Sequence, residues 1–410
     1  MTAPAEPTSP SPDPVPEGPA TPEAPSEPQR LYFHIGLPKS GSTYLQAVLG
    51  GNRSALKEAG FVYPFVRQEG MFHAAVEMAG SPARWGLDPD DISGTFAHLL
   101  RRGRRLGGTV VISHEIFGAA DDDQVETMAA LLEDFEVHLV VTARDLGRTV
   151  TAGWQEQVKN GSSRSFAEFT DELLARLPDD PRDPGDFWPP QNLLRILERW
   201  GLMVPPERMH VVACPRSGAA PDLLWRRFAE AIGLDPEAVD LAEAPQRNES
   251  LGTAQIAFLR RVVDALDGRL EQPWYSRVAK RWFAQTLLSR TRSGKPQAPT
   301  SVVDPLARVS AAWIDVIREG GYQVHGDLED LMPEPAGDAR HPDDATDAEM
   351  LAGLPEVVAE MLLRNRDLQA EVSRVTAERD RLIDEVAALT GRLEEATSRR
   401  QWARSLLGRR

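Results

Sequence analysis

Five short apolar runs recur along the first half of the chain, at residues 31–36, 61–64, 109–113, 137–142 and 208–213. Each is of strand length and is bounded by turn residues or by a helical pattern. Between them apolar positions fall three and four apart, as in "DDDQVETMAALLEDF" at 121–135 and "PDLLWRRFAEAIGL" at 221–234. Parallel strands need a crossover of a dozen or more residues, and an amphipathic helix supplies it. The alternation therefore predicts an α/β domain over residues 31–332: an open parallel sheet of about five strands with helices on both faces. Ligands of such sheets sit beyond the carboxyl ends of the strands, so residues at strand ends are the ones to search.

After residue 250 the pattern is helical without strands, over about 252–267, 273–291 and 304–319. Residues 333–348, "PEPAGDARHPDDATDA", read as a polar linker. A heptad pattern then runs over 349–400. One seam position carries Val358, Asn365, Val372, Arg379, Val386 and Leu393; the other carries Met361, Leu368, Val375, Leu382, Leu389 and Ala396. β-Branched residues in the first seam with leucine in the second predict a parallel coiled-coil homodimer, and Asn365 suits that state. Glu371, Glu378 and Glu385 share one flanking edge, which antiparallel pairing would set against itself. Residues 401–410 form a basic tail with Trp402, Leu406 and Leu407, read as solvated, with weak membrane-surface contact as the alternative. Residues 1–30 are rich in proline and acids and bury nothing; they are expected to be a disordered tail.

A net charge of −16 excludes the basic footprint of a nucleic-acid binder. A single cysteine, Cys214, excludes an internal disulfide and a cysteine-based zinc site; it reads as a small buried residue. No apolar run is long enough to span a bilayer and the first residues lack a secretory pattern, so a cytoplasmic chain is expected. Lysine is rare: Lys39, Lys57, Lys159, Lys280 and Lys295 stand among arginines. A lysine in such a chain marks a place that wants a compact, mobile point charge.

Lys39 lies in "GLPKSGST", between the first strand and the helix "TYLQAVLG". A glycine-containing turn there aims backbone N–H groups and a helix N-terminus at an anion. Ser40, Ser42 and Thr43 add hydroxyls. A nucleotide P-loop places lysine directly after the second glycine; here Ser42 follows Gly41, and Lys39 comes earlier, inside the loop.

Pro38-Lys39-Ser40-Gly41-Ser42-Thr43 resembles the first motif of the sulfotransferases that use 3′-phosphoadenosine 5′-phosphosulfate (PAPS), and most of all their bacterial, actinomycete-type members. The resemblance covers about residues 31–260. It implies a P-loop-type fold whose loop grips the donor's 5′-phosphate without a metal. It also implies an arginine at a strand end and a serine eight residues on, holding the 3′-phosphate. Arg144 matches; the serine position is Ala152, a departure, with Thr149, Thr151 and Arg148 as the nearby substitutes. The run "RNESLG" at 247–252 is similar to a stretch late in bacterial members, although Asn248 equally suits a helix cap.

Sulfuryl transfer is an in-line displacement that depends on positioning and charge stabilisation. Lys39 is the group expected to meet charge on the leaving phosphate. The acceptor, a hydroxyl or amine of a carbohydrate, lipid or small metabolite, needs a general base. The third strand ends in His114 and Glu115: His114 is the first expectation and Glu115 the second, with His73 and Glu77 behind them. His34 reads as a packing residue, and Trp154 either as core or as an adenine stack. Arg101, Arg102, Arg104 and Arg105 read as a solvated helix face rather than an acceptor site. The rival readings are a coiled-coil assembly protein that binds PAPS, or its product adenosine 3′,5′-bisphosphate (PAP), without catalysis, and an ATP-dependent P-loop kinase.

Overall fold

The structure, a computed structural model, describes residues 28–243, 251–334 and 340–407. Six strands form one sheet: β1 Gln29–His34, β2 Phe61–Val62, β3 Thr109–Ser113, β4 Phe135–Ala143, β5 Met209–Ala213 and β6 Gln323–His325. Their spatial order is β2-β3-β1-β4-β5-β6, and every pairing is parallel. From β1 the chain runs to β2 at the edge and returns to β3 between them, then crosses to β4 on the other side of β1 and continues outward to β5 and β6. The switch in direction leaves a crevice at the carboxyl ends of β1 and β4.

Alternation along each strand separates two cores. Leu31, Phe33, Val110, Ile112, Leu139 and Val141 face one side, which is covered by Thr95–Leu106, Asp122–Leu131, Leu146–Lys159, Leu193–Trp200, Thr253–Leu266 and Thr300–Glu319. Tyr32, Val111, Val140 and Val212 face the other, where Ser42–Gly51 contributes Leu45, Val48 and Leu49, and Leu223–Ile232 contributes Trp225 and Phe228. Helices thus cover both faces, as the alternation predicts.

Two features differ from the sequence reading. A strand does occur after residue 250: β6 pairs with β5 through His210↔Gln323, Val211↔Val324 and Val212↔His325. It has three residues and lies at an edge, so no apolar run announces it. The segment 273–291 is not α-helical but a π-helix, Tyr275–Leu287, followed by the 3₁₀ turn Leu288–Arg290. Its buried residues are Tyr275, Ala279, Phe283, Ala284 and Leu287.

Part of the linker is docked on the body: both Asp343 oxygens accept from the amides of Phe166 and Ala167 at 2.9 Å, capping Phe166–Leu174. Gly353, at φ +82°, then turns the chain into the helix Leu354–Leu407. Seam residues Val358, Met361, Leu368, Val372, Val375, Leu382, Val386, Leu389 and Leu393 lie exposed along it. No helix among the described residues is long and apolar enough to cross a membrane. The expectations for residues 1–27, for Asn248 and for the side chains of Trp402, Leu406 and Leu407 lie outside the described residues and side chains.

Candidate functional site

The loop after β1 stays on the sheet at first, with Ile35 N bonded to Val140 O and Leu37 N to Thr142 O. Beneath it lies a buried polar network. His34 Nδ1 meets Ser113 Oγ at 2.8 Å and His34 Nε2 meets Thr142 Oγ1 at 3.1 Å; Thr142 Oγ1 in turn meets Ser40 Oγ at 2.5 Å. A Cβ on Gly36 would stand 2.7 Å from both His34 Nε2 and Thr142 Oγ1, so the network requires glycine there. Gly41 has φ +91°, and a Cβ there would stand 2.3 Å from Leu224 Cδ2.

The loop's carbonyls are all taken up by protein donors. Ser40 bonds Leu37 O, Gln191 Nε2 bonds Pro38 O at 2.7 Å, Arg144 Nη1 bonds Lys39 O at 3.3 Å, and Cys214 Sγ bonds Ser40 O at 2.8 Å. The amides of Lys39, Gly41, Ser42 and Thr43 find no acceptor among the described residues. Helix Ser42–Gly51 begins at Gly41 with no side-chain cap. Carbonyls turned away and amides left open make a concave anion site at a helix N-terminus.

This loop forms one wall of a cleft of about 700 Å³. Four of the five lysines line it: Lys39, Lys159, Lys280 and Lys295. Three of them surround one carboxylate. Glu156 Oε2 is 2.5 Å from Lys39 Nζ and 3.9 Å from Lys159 Nζ, and its Oε1 is 2.7 Å from Lys280 Nζ. Burial disfavours the Glu156 charge, but Lys39 and Lys280 outweigh it and bring the carboxyl down to about 2. Burial brings the Lys159 ammonium down to about 8, with Glu156 resisting. Arg144, Arg148 and Arg216 complete the cationic lining. Arg148 is paired with Asp145, and Arg216 lies 3.4 Å from Asp330. A chain of net charge −16 thus concentrates positive charge in one cleft.

The expected residues separate on this geometry. Lys39, Ser40, Gly41, Thr43, Arg144 and Glu115 line the cleft. Pro38 contributes its bonded carbonyl. Ser42 is buried, and its hydroxyl contributes to holding down the Glu115 carboxyl. Thr151 and Ala152 line an adjoining recess of about 390 Å³ with Arg144 and Lys295. Thr149 is turned into the protein, buried, with no hydrogen-bond partner for its hydroxyl, and lines neither space.

His114 and Glu115 part company at the end of β3. His114 Nδ1 accepts from Ile116 N at 3.2 Å and its ring lies 5.7 Å from that of Phe72. With Nδ1 an acceptor, the neutral ring carries its proton on Nε2. Burial holds its pKa below the ordinary value, with Glu115 offsetting part of the shift. Glu115 Oε2 accepts from Gln46 Nε2 at 2.9 Å. Burial disfavours the Glu115 charge, but His114 and the hydrogen bonds from its surroundings hold the carboxyl below its ordinary value. The pair at neutral pH is an imidazole beside an open carboxylate.

Of the others, His34 is fully buried, and burial brings it down to about 4. Cys214 is buried and its thiol is pushed up to about 12; its role is to hold the loop through Ser40 O. Trp154 is core, with Nε1 bonded to Arg164 O and its ring against Phe166. Glu77 accepts from Gly94 N and Phe96 N and so caps Thr95–Leu106. Arg101, Arg102, Arg104 and Arg105 are exposed on that helix, with Arg104 paired to Asp134. The sequence reading passed over Glu156, Lys159, Lys280 and Lys295 as site residues; the scarcity of lysine was the signal that pointed to them.

Comparison with known proteins finds no matching family model, no matching curated protein and no matching solved structure.

Proposed function

We propose that the cleft is the P-loop-type site of a PAPS-dependent sulfotransferase. The carrying observation is the loop at 37–43: its carbonyls are tied back, its amides are open, and its lysine precedes rather than follows Gly41. Such a loop fits a phosphosulfate with one phosphate in the cradle. Lys39 supports charge on the bridging oxygen. Arg144, with Lys295 and Thr151 across the adjoining recess, suits the 3′-phosphate. Glu115 is the base in this reading, since its carboxylate opens on the cleft while His114 has Nδ1 committed. The acceptor oxygen or nitrogen forms a bond to sulfur as the bond from sulfur to the 5′-phosphate oxygen breaks; Glu115 takes the acceptor's proton and PAP leaves.

A second reading keeps the ligand and drops the chemistry. Ala152 lines the cleft where the resemblance expects a serine hydroxyl, which favours a coiled-coil assembly protein that binds PAP or PAPS without turning over. A kinase reading finds Ser42 where it needs its lysine. Thermal-shift titration with PAP, AMP and ATP with magnesium separates these. PAP should stabilise most, with or without magnesium, and Arg144→Ala should abolish its advantage over AMP. Equal effects of PAP and AMP would sink the donor assignment, and turnover of PAPS against an acceptor panel separates enzyme from binder. In either reading the helix Leu354–Leu407 pairs with a second copy through its exposed seam.

A further inference from the structure

The proposed donor site makes no use of Lys159 and Lys280, yet both line the cleft beside Lys39. Their side chains are 13% and 19% exposed, so both ammonium groups have lost much of their water. With Lys39 they set three positive charges around the single carboxylate of Glu156. A compact ammonium is strongly hydrated, and two uncompensated ones in a confined space repel each other. The cluster of three ammonium groups and one carboxylate is short of negative charge by two, although Lys280 Nζ also donates to Asn160 Oδ1 at 2.7 Å; in the same cleft Arg144 and Lys295 add positive charge and Glu115 one negative charge.

The π-helix Tyr275–Leu287 bears on the same place. Its N–H groups reach back five residues, so side chains five apart fall near one another. In an α-helix they would be about 140° apart. Lys280 and Gln285 are five apart, and both line the cleft. The unusual winding thus presents a cation and an amide together to the cleft.

We infer that Lys159 and Lys280 form a second anion subsite beside Lys39, which holds a carboxylate, sulfate or phosphate group of the second substrate. Glu156 is the resident counter-ion that keeps the three lysines gathered until substrates arrive. The inference rests on the sulfotransferase reading and adds to it that the acceptor is an acidic molecule.

The test uses the full chain saturated with PAPS, whose own sulfuryl group fills its position, titrated calorimetrically with inorganic sulfate. One sulfate should bind. Lys159→Met and Lys280→Met should each weaken it by about tenfold, the loss of one charge-assisted contact. Both should leave PAPS affinity within about twofold, and Lys280→Arg should retain sulfate binding if charge rather than fold is at stake. No sulfate binding to the PAPS-saturated protein, or binding indifferent to both Met variants, overturns the subsite. If PAPS fails to bind while sulfate is still captured through Lys159 and Lys280, the donor reading falls and the subsite stands.

Discussion

Lys39 Nζ and Glu156 Oε2, 117 residues apart in sequence, meet at 2.5 Å in the lining of the cleft. The one lysine inside the anion loop is thus held by a helix that follows β4, on the far face of the sheet from the loop's own helix. A phosphate seated in the proposed donor site would compete with Glu156 for it.

Glu156→Gln removes that competition. PAP affinity should rise about three- to tenfold, up to about 1.4 kcal/mol, in calorimetric titration. The ligand-free protein should lose about 1–2 kcal/mol, because three ammonium groups then surround a neutral amide and the pair is only partly shielded from water. Added sulfate should restore the melting temperature. Unchanged PAP affinity would show that Lys39 is not restrained by the pair.

The base is decided by the pair at the end of β3. With Glu115 as base, Glu115→Gln should cut single-turnover transfer at least about a hundredfold while PAP affinity stays nearly constant. Its carboxyl lies below the ordinary 4.5, so activity should persist down to that region. His114→Gln should act mildly, through loss of the Ile116 N–H bond. An acid limb near pH 6.5 that vanishes in His114→Gln would transfer the role to His114.

Three histidines form a ladder across the β4, β5 and β6 edge. Glu136 Oε1 lies 3.0 Å from His138 Nε2, His138 Nδ1 lies 3.0 Å from His210 Nε2, and His210 Nδ1 lies 3.1 Å from His325 Nε2. Burial is the main cause that brings His210 down to about 4, the same value as His34. Both are neutral in the fold and protonate near 6.5 once unfolded. Their contribution is therefore complete above pH 6.5 and is lost as pH falls toward 4, on the order of 3 kcal/mol each. Denaturant unfolding from pH 7.5 to 4.5 should show that fall, and His210→Gln should make it shallower. Stability flat across this window would mean that the rings titrate in the fold as they do once unfolded.

The exposed seam of Leu354–Leu407 leads to a prediction about mass. A chain ending at residue 352 should sediment as a folded monomer, whereas the full chain should be a dimer in analytical ultracentrifugation. Asn365→Leu should strengthen association and loosen its preference for two strands, since the polar seam residue specifies the dimer at a cost in stability. An unchanged mass after truncation would place the dimer contact in the α/β body or leave the helix solitary.

Short-range patterns carried much of this protein in its sequence. The five runs, the helices between them, the anion loop and the heptad each rest on residues a few positions apart, where backbone sterics and periodic burial act. The long-range arrangement was not legible there. β6 forms because β5 has a free edge, not because Gln323–His325 prefers to be extended. Glu115 rather than its neighbour His114 faces the cleft because the turn after β3 commits the imidazole to Ile116. Thr149 and Thr151 differ by two positions on one helix, so one enters the core and the other the recess. Lys39, Lys159, Lys280 and Lys295 come from four separate segments, and only the crossovers of a parallel sheet bring them to one cleft. Their rarity in the sequence marks them, but the tertiary structure decides that Lys39, Lys159 and Lys280 share a carboxylate, because charges meet through space and the chain records only their order.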